Sequence, residues 1–375
     1  MRERGWGLVS VLLMHVPVAF LFRAWRVLAQ PVNGGLIQRV FNQPRFAGFQ
    51  DNLADSALPR FYVIVMPFTL HFLLPCLALL QGRVQVVLLN NGARLWERRL
   101  LKERFPALPM FDLWTLPFSS VAHGNVINLL LAGCRGNFGI VDHDCYVFDK
   151  AVFDQLTPAS DECLLALFGE ASASVEITFP LTYFLFFNAE ALRALMRRYA
   201  VDARIYREIP ATAKDAMARL GLGPGIFWKH YHSFYDTLHV LLAVGLAEGL
   251  KFRFLSPADK LPAMHVGGTS IGTHHAKSLY ALYLHLRFLE LLDDPLLNRR
   301  YAFLIAPLRS SAQARAQGDL KRPEWQALPV VETLIERLRE VLKEPSWLVN
   351  CGRAVGVNTG PANPVSVDGP AEKGS

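Results

Sequence analysis

The amino-acid sequence predicts an α/β fold: a mostly parallel sheet flanked by helices, with an apolar N-terminal arm before it and further helices after it. Two observations carry that reading. From Phe61 onward, short β-branched or aromatic runs alternate with segments of helical periodicity, the pattern of a sheet whose strands are joined by crossover helices. The chain is also long enough, at 375 residues and 52% hydrophobic, to build a sizeable core, which excludes a disordered or fibrous chain.

The elements follow in order. Phe61 to Met66 (FYVIVM) reads as a first strand stopped by Pro67, and Leu70 to Gln81 as an apolar helix. Val84 to Leu89 reads as a second strand that runs out into Asn90, Asn91 and Gly92. Between Ala93 and Phe105 charged residues alternate with Leu95, Trp96, Leu100 and Leu101, an amphipathic helix with one solvated face. Phe111 to Leu116 is a third strand, Gly124 to Cys134 a third helix and Phe138 to Val141 a fourth strand. Residues 175–199 suggest a strand and an amphipathic helix whose Arg193, Arg197 and Arg198 face solvent, the aromatics Phe179, Tyr183, Phe184, Phe186 and Phe187 reading mainly as core. Beyond KFRFL, a Leu/Tyr-rich helix starts at His274 and His275 and runs to about Leu292. Adjacent histidines on a helix point apart, which argues against a metal pair there. Val330 to Lys343 has the spacing of a packing helix. The chain divides accordingly into an arm and linker (1–58), a main α/β domain (59–272), a helical extension (273–355) and a disordered tail (356–375).

Residues 5–22 carry no charge apart from any on His15, and would extend roughly 27 Å as a helix, so they suit a segment that spans, lies on or packs away from a membrane. Residues 31–58, with Pro31, Gly34, Gly35 and Pro44, read as a loop-rich connection. The net charge of +7 suits phosphates, anionic lipid or nucleic acid without choosing among them. The five cysteines form no CxxC or zinc-type pairing, which points to a reducing compartment without structural zinc.

The fourth strand runs directly into Asp142, His143 and Asp144. Two carboxylates one residue apart at the end of a buried strand repel each other unless a countercharge offsets them. A divalent cation does this economically, and the carboxyl ends of strands are where open α/β sheets bind ligands. Mg²⁺ or Mn²⁺ suits such oxygen ligands. Strand alternation would turn His143 to the opposite side, leaving it out of the ligand set.

Read collinearly, these segments resemble the inverting nucleotide-sugar glycosyltransferases of family 2, which have a GT-A (nucleotide-diphospho-sugar transferase-like) fold. The likeness rests on VIVMPFT (63–69), LLNNGA (88–93), HGNVINLLLAGCRGNFGIVDHDCYVFD (123–149) and the order Asp236, Gly249, His265 within residues 234–270. Asn90 stands where the family has an acid, and Tyr235 replaces the first of two acids often found at the base position. The resemblance implies that Asp142 and Asp144, with His265, hold the metal. It also implies that Pro67, Asn90, Asn91, Gly124, Asn128 and Asp142 contact the donor, and that Asp236 is the catalytic base. Asp236 equally suits a helix N-cap.

The implied activity is metal-dependent transfer from a nucleotide-sugar donor to a glycan or lipid-linked acceptor, as in polysaccharide biosynthesis, using Mn²⁺ or Mg²⁺. A membrane surface is an expected partner and nucleic acid is not, with the chain placed at the cytoplasmic face of the cell membrane. Two other readings stay open: a sugar nucleotidyltransferase, for which the first strand lacks a Gly-rich phosphate loop, and a catalytically silent GT-A-fold binding protein.

Overall fold

The computed structural model describes residues 25, 28–172, 175–227, 234–258, 263–267, 269, 279–305 and 328–343. The uncharged segment 5–22, His274, His275 and the tail after residue 355 lie outside the described residues. Among the described residues the first elements are a wide, π-type helix α1 (Asn33–Asn42) and α2 (Gln43–Asp51). There follow β1 (Arg60–Val65), α3 (Leu70–Leu80), β2 (Gln85–Asn90), α4 (Leu95–Arg104), β3 (Met110–Asp112), α5 (His123–Gly133), β4 (Phe138–Asp142) and β5 (Cys145–Val147). The middle of the chain adds α6 (Ala151–Asp154), β6 (Glu162–Ala166), β7 (Gly169–Ala171), β8 (Thr178–Pro180), β9 (Phe184–Phe187), α7 (Ala189–Tyr199) and α8 (Lys214–Arg219). The last elements are α9 (His239–Ala247), β10 (Lys251–Phe254), β11 (Ala263–His265), α10 (Leu279–Leu292), α11 (Pro295–Ile305) and α12 (Leu328–Leu342).

Seven strands form one sheet in the order β10-β6-β9-β4-β1-β2-β3. β1 pairs in parallel with both β2 and β4, and only β9 runs against its neighbours. This mixed α/β layout, a mostly parallel sheet between helices, is GT-A-like. Both faces of the sheet are covered, which is why the central strands β1, β2, β4 and β9 are apolar on both faces between their ends. Along β1, Phe61, Val63 and Val65 join a core with Phe72 of α3, Phe288 of α10 and Leu334 of α12. Tyr62 and Ile64 point the other way, into a core with Leu130 of α5, Leu192 of α7 and Leu241 of α9. The C-terminal helices are thus part of one face of the main core: Val331, Leu334, Ile335 and Leu338 of α12 are buried on the body.

The strand and helix boundaries around β1 to β4 agree with the sequence reading to within a few residues. The region before β1 does not, because helix replaces the expected loop. Asn33, Gln38 and Asn42, polar and individually unremarkable in the sequence, are buried and turned onto backbone groups of residues 114–125. Phe46 is fully buried, its ring edge-on to Phe111 at 5.1 Å. A side chain at Gly34 would collide with Asn125, so this glycine, which suggested a turn, instead lets a helix approach α5 closely.

One buried acid ties the C-terminal helices to the end of β1. Glu97 on α4 accepts from the backbone N–H of Phe68 at 2.8 Å, from that of Arg94 at 2.6 Å and from the Tyr301 hydroxyl of α11 at 2.5 Å. Phe68 sits at φ 65°, a left-handed conformation that a bulky residue keeps only when its surroundings impose it. Burial raises the Glu97 carboxyl, and the three donated bonds partly offset that rise. Glu97→Ala, which orphans all three donors, is expected to lower unfolding stability by about 3 kcal/mol in a urea titration. A loss under about 1 kcal/mol would show that solvent satisfies the donors and that Glu97 is not the tie described.

Candidate functional site

Strand register brings the site together. Ile64 of β1 lies opposite Asp142 of β4, and Val65 opposite Asn90 of β2, so the three strands end along one line. A cavity of about 940 Å³ opens at those ends, within the size range of small-molecule sites. It is bounded by Met66 and Asn91, the start of α5, Asp142 and Asp144, and His265 with Thr269. Gln30, Pro31, Gly34 and Gly35 of the N-terminal region close one side, and Arg204, Arg207 and Thr237 another.

The strand stops at Asp142, and residues 143 and 144 form a turn before β5. Side-chain alternation therefore does not carry through the motif, and His143 is not turned away as strand periodicity suggests. Its Nε2 lies 3.0 Å from the Thr269 hydroxyl, which donates to Asp144 Oδ2 at 2.7 Å. His265 arrives through antiparallel pairing of β11 with β5, in register with Cys145. Its Nε2 is 3.3 Å from Asp144 Oδ1 and 3.9 Å from Asp142 Oδ2, and its ring stacks on Tyr183 with centroids 3.4 Å apart. Tyr183 is placed by its carbonyl, which accepts from the Asp142 N–H at 2.9 Å.

Asp142, Asp144 and His265 each offer a ligand atom, all within 4.8 Å of one another, so the cluster could hold a metal ion. Its electrostatics fit that use. Burial, followed by repulsion from Asp144, pushes the Asp142 carboxyl up to about 7. Burial would raise Asp144 too, but His143 and His265, with hydrogen bonds from His265 and Thr269, bring it below the usual carboxylate range. Burial would lower His265, and the two aspartates outweigh it, so the imidazole is raised. The cluster thus holds protons where a cation would otherwise supply the positive charge.

His123, the first residue of α5, is a site residue that sequence reasoning passed over. Its Nε2 is buried, has no hydrogen-bond partner among the described residues and lies 4.0 Å from Asp142 Oδ1, whereas His265 approaches Oδ2. Burial lowers it to about 4, against an opposing pull from Asp236, so it is neutral near pH 7. Its place at the head of HGN, beside a glycine, was the available signal. A side chain at Gly124 would strike the carbonyl of Ala203, and Asn128 accepts from the Ala203 N–H at 2.9 Å. Those two contacts hold the following segment, with Arg204 and Arg207, against the cavity.

The other expected site residues divide between the cavity and its supports. Asn91, Gly124 and Asp142 line it, while Pro67, Asn90 and Asn128 do not figure in its walls. The Asn90 side chain donates to Asp112 at 2.7 Å and accepts from the Ala93 N–H at 2.8 Å. Asn91 is held at both ends of its amide by the Val121 backbone. Asp236 precedes α9; its carboxylate accepts from the Thr237 N–H at 2.7 Å, and its charge reaches His123. Mutual backbone bonds between Tyr206 and Tyr235 fasten this segment to the one bearing the arginines.

With this geometry in view, residues 38–192 match a family model described as the StrH glycosyltransferase N-terminal domain. Over that stretch the chain is similar to a glycosyltransferase domain; the stretch includes His123, Asp142 and Asp144 and ends before Asp236 and His265. Comparison with curated proteins gave no match. Among the described residues no helix is long and apolar enough to cross a membrane.

The raised Asp142 makes a pH prediction. A carboxyl whose folded pKa exceeds its ordinary 3.8 contributes stability that is complete below that value and is lost as pH rises through about 7. Metal-free wild type should therefore lose melting temperature from about pH 5 to about pH 8 relative to Asp142→Asn, and added Mn²⁺ should stabilise wild type more at the upper end. Parallel profiles for the two proteins in differential scanning calorimetry would contradict the assignment.

Proposed function

We infer that the chain is a metal-dependent, inverting glycosyltransferase of the family 2 type, acting on a nucleotide-sugar donor and a glycan or lipid-linked acceptor hydroxyl. The observation that carries this reading is the Asp142–Asp144–His265 cluster at the carboxyl end of β4, whose two aspartates lie inside the stretch similar to a glycosyltransferase domain and which faces a cavity of about 940 Å³. Asp142, Asp144 and His265 would hold Mn²⁺ or Mg²⁺. When bound, the ion supplies positive charge against the donor diphosphate.

The chain's own groups account for the remaining work. Arg204 and Arg207 add cationic charge on the cavity wall, and the N-terminus of α5 presents backbone N–H groups to an anion. Asp236 takes the proton of the acceptor hydroxyl while that oxygen bonds to the anomeric carbon. The bond from that carbon to the phosphate oxygen breaks, and the nucleoside diphosphate leaves with the electron pair. A single displacement inverts the centre. His123, neutral at working pH, is available to hydrogen-bond a sugar hydroxyl beside Asp142.

A thermal-shift series of nucleotide sugars with Mn²⁺ should identify a stabilising donor, and Asp142→Asn or Asp144→Asn should abolish the Mn²⁺-dependent part. Asp236→Asn should keep donor affinity within a few-fold while transfer falls on the order of 10² to 10⁴ times. Near wild-type transfer by Asp236→Asn at equal melting temperature would dismiss the base assignment; the N-cap position of α9 is held by Leu238, so no side-chain cap is at stake in this variant.

A further inference from the structure

The helix that closes the cavity has a second face. Across residues 28–42 the backbone is helical, and Ala29, Asn33, Gln38 and Asn42 are buried against the body. Leu28, Val32, Leu36 and Val40, spaced by four, point outward with exposures of 68, 38, 64 and 53%. The row is widened by Phe41, whose ring stacks at 5.0 Å on Trp114, itself 51% exposed. An ordered apolar strip of this kind marks a binding surface rather than scattered exposure.

Charge indicates what covers it. Residues 5–50 contain no acidic residue and four arginines, Arg23, Arg26, Arg39 and Arg45, although acids nearly balance bases elsewhere in the chain. The Arg45 guanidinium lies 5.2 Å from the centre of the Trp114 ring, so cation and interfacial aromatic share one edge of the strip. The sequence leading into the helix, residues 5–22, is apolar and carries no acid or arginine. A row of aliphatic side chains, a tryptophan at its edge and arginines with no acid among them is the chemistry of a helix lying in the headgroup layer of an anionic bilayer.

We propose that the face bearing Leu28, Val32, Leu36, Val40, Phe41 and Trp114 docks the protein on an anionic membrane surface. Gln30, Pro31, Gly34 and Gly35 on the same helix line the cavity, so docking sets the cavity wall at the bilayer. Docking stands independently of catalysis. Resting on the transfer reading, it further selects a lipid-linked acceptor delivered from the membrane over a soluble glycan.

The test is sedimentation of the full-length protein with vesicles of phosphatidylcholine, with and without phosphatidylglycerol. Wild type should bind the anionic vesicles, and Leu36→Glu with Val40→Glu should weaken binding at least tenfold. Arg39→Ala and Arg45→Ala should each weaken it about fivefold. Leu95→Glu, a change at an exposed leucine on α4 away from the strip, should bind as wild type does. Stabilisation by Mn²⁺ with a nucleotide sugar should survive in the double glutamate variant, which separates a failure of docking from a failure of the transfer reading. Wild-type binding by the double variant would mean that residues 5–22 act alone and would overturn the proposal. So would absence of binding by wild type, or a dimer in solution that the double variant dissolves, since the face would then meet a second copy of the chain.

Discussion

Two carboxylates held near each other at the end of a buried strand are the constraint around which the rest of the site is arranged. Removing even one charge from water is costly, and removing two of like sign compounds the cost. The structure meets it with donors and cations drawn from elsewhere in the chain. Thr269 donates to Asp144, His265 approaches both acids, and the Asp142 N–H is anchored on the carbonyl of Tyr183. Those groups moderate the cost without abolishing it, as the upward push on Asp142, from burial first and from Asp144 second, shows. A cluster held under this strain could take a metal ion as its countercharge.

Rigidity behind the site comes from the C-terminal helices. His71 of α3 and His285 of α10 are both buried, with Nε2 of one 2.7 Å from Nδ1 of the other. Burial lowers both, so the pair is neutral and one ring donates while the other accepts. The Glu97–Tyr301 bond serves a similar end nearer β1. Through these two contacts α10 and α11, distant in sequence, brace the backbone on which the cavity stands.

On the opposite side the N-terminal helix is a wall of different character. It is attached chiefly by amide side chains to backbone, as Asn33, Gln38 and Asn42 show, and only Phe46 and a few neighbours bring apolar anchoring. Hydrogen bonds of this type contribute modestly each, on the order of 1 kcal/mol. Such a helix leaves an apolar face free while holding position, a combination suited to an element that meets both a ligand cavity and a surface.

The strands β1, β2 and β4, the helices between them and the place of Asp142 at a strand end were legible in the sequence, because each depends on local periodicity and on where an apolar run meets a charge. The separation of Asp236 and His265 from the acids could be read as order along the chain, but not as distance. Tertiary structure alone decided that Asn90 is held by Asp112 and Ala93, that a turn brings His143 onto Thr269, and that His123 faces Asp142. It also decided that Gly34 marks a close helix approach and not a turn. The physical reason is common to these cases: a hydrogen-bonding side chain or a glycine has no preferred partner in the chain itself, and its role is set by whichever backbone or carboxylate the packing of distant apolar segments carries within reach.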